Sequence, residues 1–246
     1  MKNRLIALLA ALLLLSCAVG LAACNNGGGT EKPPVDDDPY LLLVNKQNPA
    51  GESFEPEGLC DLDGSYTTGG KEISLEEKVA EAVVSMINAM REDDITNVSV
   101  TSGYRTYEYQ QKLFNKYIAE EKAAHPDGSD EKVREQVLTY SAAPGTSEHQ
   151  SGLCVDLFTT EMEGLWNYGS ETPKNPYDKG FAETDAFEWL MEHAHEYGFI
   201  LRFPENKTDI TGYSYESWHY RYVGVEHATK IHEQGITLEE YLDSLK

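Results

Sequence analysis

The stretch Ser147-Glu148-His149-Gln150-Ser151-Gly152-Leu153-Cys154-Val155-Asp156-Leu157-Phe158 decides how the chain is read. Gly152 to Phe158 has the look of a buried strand, entered from a polar loop, Ala142 to Ser151, that holds Pro144 and Gly145. Asp156 stands inside that apolar run, where a lone ionised carboxylate is costly to bury. It must be paired, exposed on an edge, or bound to a cation. His149 lies earlier, in the approach loop. His219 comes later, flanked by Trp218 and Tyr220 in a second apolar-aromatic strand. There His219, Arg221 and Val223 face one way, and Trp218, Tyr220 and Tyr222 the other. Two imidazoles and a carboxylate suit a catalytic zinc shell that keeps one position open to solvent. Glu216, just before His219, is close enough to serve that shell as a proton acceptor. Each histidine alone reads as an ordinary packing or surface residue; the grouping carries the chemistry.

Outward from these two strands, residues 39–246 alternate helices with short strands. Ser74-Leu75-Glu76-Glu77 reads as a capping box, and Val79, Ala82, Val83, Met86, Ile87 and Met90 recur at helical spacing, predicting a helix over 75–91. Asn97 to Thr101 alternates β-branched residues and reads as a strand. Helical periodicity returns over 106–124, and again over 130–140 with Ser129 as N-cap. Asn167 to Gly180 is a Gly-, Pro- and Asn-rich loop expected to border a cleft. A helix over 185–197 ends at Gly198, strands follow at 199–203 and 218–223, and two short helices close the chain. The order predicts an α+β fold, a single domain with a small, mainly antiparallel sheet flanked by helices.

Ser147 to Asp156 resembles the S-x-H-x-x-G-x-x-x-D motif of the zinc D,D-peptidase family that includes VanY and VanX. Glu216-Ser217-Trp218-His219 resembles its E-x-x-W-H motif, and Ser102-Gly103-Tyr104-Arg105 followed by Gln110 is similar to its S-G-Y-R segment. The three occur in the family's order, over roughly residues 40–235. Chain length and the continuation Tyr220-Arg221-Tyr222-Val223-Gly224 look more like the VanY/LdcB carboxypeptidase branch of these LAS metallopeptidases than like the dipeptidase VanX. The resemblance implies a Hedgehog/D,D-peptidase-like fold and one Zn2+ per chain, held by His149, Asp156 and His219. It implies Glu216 as acid/base and Arg105 as the group that holds or polarises substrate near the scissile bond. Ser147 and Gln110 match positions that seat the peptide's C-terminal end. The implied substrates are peptidoglycan stem peptides or precursors, losing a C-terminal D-alanine in a D,D-carboxypeptidase reaction. An L,D-carboxypeptidase trimming tetrapeptide stems, or a non-catalytic wall-binding lipoprotein, are the alternatives. Cys154 departs from the pattern, since relatives often carry Ala or Ser there. A thiol fits that volume and raises the expectation of oxidation sensitivity or metal contact, but it is not counted as a ligand.

The amino terminus reads as an address. Lys2 and Arg4 precede an apolar run, Leu5 to Leu15, too short and wrongly flanked for a spanning helix. Leu21-Ala22-Ala23-Cys24 resembles a bacterial lipobox, more so than Leu14-Leu15-Ser16-Cys17, and implies lipidation of Cys24. The expected organisation is a lipoprotein signal peptide over 1–24, a flexible tether over 25–38 rich in Gly, Pro and Asp, and the enzyme domain over 39–246. That places the domain outside the cell, in contact with the membrane through its lipid anchor only. Of 246 residues, 42 are Asp or Glu and 20 Lys or Arg, a net charge of −22. Such a balance argues against nucleic acid, whose phosphates need a basic face. An exported protein could pair Cys60 and Cys154, and the sequence leaves that open, leaning towards free thiols. Ser129-Asp130-Glu131-Lys132 matches S-x-x-K, yet no S-x-N tripeptide accompanies it, and no H-E-x-x-H occurs. The remaining histidines, His125, His193, His195, His227 and His232, read as surface or packing residues.

Overall fold

A computed structural model describes residues 38–161 and 180–246. The signal segment, Cys24 and the tether up to residue 37 lie outside the described residues, as does the 167–180 loop apart from Gly180. In chain order come β1 (Leu59–Asp61), β2 (Ser74–Glu76), α1 (Glu77–Glu92), β3 (Val98–Ser102), α2 (Tyr107–Ala124), α3 (Asp130–Val137) and β4 (Cys154–Thr159). Then follow α4 (Asp185–His193), β5 (Phe199–Phe203), the one-turn α5 (Thr208–Thr211), β6 (Glu216–Tyr222), α6 (Val225–Gln234) and α7 (Leu238–Ser244). β1 and β2 form a small antiparallel ladder, and the other four strands an antiparallel sheet of order β3-β4-β6-β5. The fold is α+β.

The two strands singled out by sequence, β4 and β6, are the central pair, and their register sets Asp156 directly opposite His219. Period-two alternation gives this pair two unlike faces. Val155, Leu157, Trp218 and Tyr220 point into the main core. There α1 lays down Val79, Val83, Met86, Ile87 and Met90, all fully buried, with Ala186 and Leu190 of α4 beside them. Each such side chain contributes roughly 1.5–3 kcal/mol of burial free energy, so this stripe anchors the sheet from one side. The opposite face carries Cys154, Asp156, His219 and Arg221, buried but polar. A second cluster, with Leu41, Ile200, Val223 and side chains of α6 and α7, covers the β5 side.

Several boundaries differ from expectation for local physical reasons. Ser74 does not cap α1. Ser74-Leu75-Glu76 instead pairs with β1, which buries Leu75 and lets the Ser74 hydroxyl donate to Asp61 at 2.7 Å. Glu76 takes over as N-cap, its carboxylate accepting from the amides of Lys78 and Val79. Ser129 caps α3 as expected, but that helix stops at Val137. The helix over 185–197 tightens to a 3-10 turn after His193 and ends at Gly198 with φ 84°. His195 stacks on His232 at 4.0 Å between ring centroids, a packing contact. No helix among the described residues is long and apolar enough to cross a membrane.

Candidate active site and metal centre

His149 sits in a 3-10 turn, Glu148–Ser151, just before β4, and ends there because Gly152 adopts φ 71°. Backbone from the Ser102-Gly103-Tyr104-Arg105 segment clasps it: His149 Nδ1 lies 2.7 Å from the Gly103 carbonyl oxygen, and the Arg105 amide donates to the His149 carbonyl. A Cβ on Gly103 would stand 2.7 Å from the Ser74 carbonyl oxygen, so only glycine lets the β1–β2 ladder press this segment against the histidine. With Nδ1 donating to a carbonyl, the ring keeps its Nε2 lone pair for the site.

His219 is fixed from the other side. Its Nε2 lies 3.3 Å from Glu148 Oε2, which assigns the proton there and leaves Nδ1 as the free donor atom. His149 Nε2 and His219 Nδ1 then meet the two oxygens of Asp156, at 3.2 and 2.9 Å. A tetrahedral shell with bonds of about 2.0–2.1 Å spaces neighbouring donor atoms a little over 3 Å apart, and each imidazole nitrogen stands at nearly that spacing from an Asp156 oxygen. Cys154 joins them: its sulfur and one nitrogen of each imidazole all lie within 4.8 Å of one another.

Glu216 reaches the same cavity against its parity, since residues three apart in a regular strand face opposite ways. Between the pairs Leu201–Tyr220 and Phe203–Glu216, β5 advances two residues and β6 four. That irregularity turns Glu216 onto the site side, 3.8 Å from His219 Nδ1. Arg105 donates from Nη2 to Asp156 at 2.8 Å and from Nε to Ser102 at 3.0 Å. Ser147 and Gln110 line the same cleft of about 140 Å³, whose walls are Tyr117, Tyr140, Phe203 and Tyr213. Gln110 donates to the Ala142 carbonyl, while its buried Oε1 has no partner among the described residues. Every site residue expected from sequence therefore meets in one cleft, Cys24 alone lying outside the described residues.

The electrostatics favour an added cation. Burial opposes ionisation of Asp156, yet His149, His219 and Arg105 hold it well below the usual carboxylate range. At His149 burial and the Arg105 charge oppose protonation, but Asp156 and the Cys154 sulfur in its thiolate form outweigh them and raise it to about 9. A pocket that holds extra protons on its imidazoles offers the same field to a divalent ion, which takes their place. Burial pushes Glu216 up, His219 pulls it back, Asp156 adds to the rise, and the carboxyl ends at about 7.

The sequence profile described as VanY, D-alanyl-D-alanine carboxypeptidase, matches residues 72–225. This chain belongs to the VanY family. It is 38% identical over 206 residues to a D-alanyl-D-alanine carboxypeptidase of Enterococcus faecalis, covering 84% of this chain and 66%, just under two thirds, of that enzyme. Among solved structures it is similar to a vancomycin-resistance D,D-pentapeptidase VanY in complex with Zn(II), at 37% identity and TM-score 0.64, covering 83% of this chain and 99% of that one. VanYB in complex with D-alanine-D-alanine gives 38% and 0.65, covering 84% and 99%. The LdcB LD-carboxypeptidase gives 31% and 0.68, covering 85% and 89%.

In this VanY-family chain one functional residue escapes the sequence reading. Glu148, the spacer between Ser147 and His149, is buried with its Oε1 accepting from Arg202 Nε at 2.9 Å and Arg221 Nη1 at 2.6 Å. Arg202 also forms a two-pronged pair with Glu239, and Arg221 Nη2 donates to the carbonyls of Tyr40 and Leu42. The available signal was Arg221, a charge on the His219 face of an apolar-aromatic strand, which demands a buried anion. Against burial, the two arginines hold Glu148 well below the usual carboxylate range. Glu148→Ala leaves both guanidiniums without their shared anion, and the expected loss is about 3–5 kcal/mol of folding stability. Urea unfolding beside the parent protein reads it directly; a change under 1 kcal/mol, within the range of exposed pairs, would show that the network is not buried as described.

Proposed function

We propose that this chain is a zinc carboxypeptidase that removes the C-terminal D-alanine from peptidoglycan stem peptides, acting outside the cell on a lipid tether at Cys24. The observation that carries the reading is the meeting of His149 Nε2 and His219 Nδ1 at the two oxygens of Asp156, each ring fixed in the required tautomer by an outer partner. His149, Asp156 and His219 are the residues that would hold the ion. When bound, zinc supplies a Lewis acid that acidifies water and polarises a carbonyl. Membership of the VanY family, and the Zn(II) and D-alanine-D-alanine complexes of similar structures, support both metal and substrate class.

The chain's own residues account for the remaining steps. Glu216, with a carboxyl near 7, accepts the proton of the attacking water and passes it to the departing D-alanine amine. Arg105, tied to Asp156 and Ser102 through two of its nitrogens, presents its other edge to the carbonyl as negative charge develops. Ser147 and Gln110 seat the last residues of the peptide, the unpartnered Oε1 of Gln110 accepting from a peptide N–H. The aromatic walls exclude water from the polar groups between them.

Defined stem peptides decide the reaction. The zinc-loaded protein is expected to remove one alanine from the pentapeptide, with a chelator abolishing the loss; release from the tetrapeptide instead would make it an L,D-carboxypeptidase. Retained zinc with neither cleavage would favour the wall-binding alternative. In Glu216→Ala the metal stays and turnover falls by about 10²–10⁴-fold, whereas His219→Ala loses both; full turnover in the first variant would remove Glu216 from the mechanism. Because Glu216 must be ionised to accept a proton, kcat/KM should fall as pH drops below about 7, and a bound cation moves that limb to lower pH. A profile flat down to pH 4 would contradict the assignment. Cys24→Ala should move the protein from the membrane fraction to the supernatant, and unchanged fractionation would exclude that anchor.

A further inference from the structure

Cys154 is a free, fully buried thiol on the site face of β4, two residues before Asp156. The register sets Cys154 opposite Arg221 and Asp156 opposite His219, so thiol and carboxylate approach the same imidazoles from neighbouring rungs of the ladder. The Cys154 sulfur and one ring nitrogen each of His149 and His219 lie within 4.8 Å of one another, close enough to converge on one ion. Both histidines are thus shared between two donor sets that differ in chemistry. The Asp156 oxygens form a hard donor, and thiolate sulfur is a soft one that selects zinc, cadmium and copper(I).

We infer that Cys154 gives this centre a second, softer coordination set, His149–Cys154–His219, which overlaps the hydrolytic one and captures thiophilic cations. The inference rests on the zinc reading above. Capture exchanges the thiol proton, released to solvent, for a sulfur–metal bond. An ion that holds both histidines, Cys154 and Asp156 has all four tetrahedral positions filled by protein, the arrangement of structural rather than catalytic sites. Such an ion is held firmly and leaves no place for water. The departure at position 154 therefore makes the site sensitive to soft metals.

Cobalt(II) and cadmium(II) are the probes, added to the metal-free full-length protein. Cobalt should give the intense thiolate-to-metal absorption in the near ultraviolet beside its visible bands. Cys154→Ala should keep the visible bands and lose the ultraviolet one. Cadmium should bind the variant about tenfold or more weakly, relative to zinc, than it binds the parent. Cys154→Ser, closer in volume, provides the same readout should the alanine variant not fold. Cobalt binding in the parent without thiolate absorption overturns the inference and leaves the zinc reading standing. Failure of the parent to bind cobalt or zinc at all overturns both.

Discussion

The Glu148 carboxylate accepts from Arg202 and Arg221 on one oxygen and lies against His219 on the other, entirely out of solvent. Each of these charges is expensive to desolvate, and only their mutual arrangement makes burial tolerable. Arg202 comes from β5, Arg221 from β6, Glu148 from the turn before β4, and Glu239 from α7, so the chain must be almost fully folded before any of them is compensated. Two arginines and two carboxylates balance within the group. Buried ion pairs are weak sources of net stability, and here their effect is geometric. They set the rotamer and the tautomer of His219, and so determine which nitrogen faces Asp156.

That network occupies one of the two unlike sides that alternation gives the sheet. On one, α1 seats a continuous apolar stripe that fixes β3, β4 and β6 rigidly. On the other, β4 and β6 present Cys154, Asp156 and His219, with His149 in the turn before β4, and hydrogen bonds to backbone and buried carboxylate hold the two rings. Reactive groups carried on packed strands are placed more accurately than groups on loops. Turn and loop segments add His149, Arg105 and Ser147, and at the cleft wall Tyr213 donates to the Thr146 carbonyl while Lys46 lies 4.4 Å from the centre of the Tyr213 ring.

Much of this was legible in the sequence because a charge in an apolar strand has few explanations. Asp156 announced itself in that way, and His219 did so through alternation with Trp218 and Tyr220. α1 and α2 were visible from their periodicity, and the Ser129 cap from side-chain chemistry. What escaped depends on partners remote in sequence. β1 and β2 are three residues each, too short to show a period, and pairing overrides the capping signal of Ser74. Glu148 is bound by arginines more than fifty residues away. Glu216 lies on the wrong parity for its site until the irregularity against β5 rotates it, and no local pattern encodes that.

The contact of Arg221 with the carbonyls of Tyr40 and Leu42 gives the start of the domain a mechanical meaning. Leu41 plugs into the second core, the Tyr40 ring packs edge-on against Tyr222, and Asp38 lies 3.3 Å from His227. A pull on the chain ahead of residue 38 is borne first by this clasp and next by the guanidinium beneath it. From there the load path runs through Glu148 to His219. A recombinant fragment cut at Asp38 keeps the clasp whole. One cut at Leu43 strips a buried guanidinium of two acceptors and leaves the strand that carries His219 with an unpaired donor group beside it.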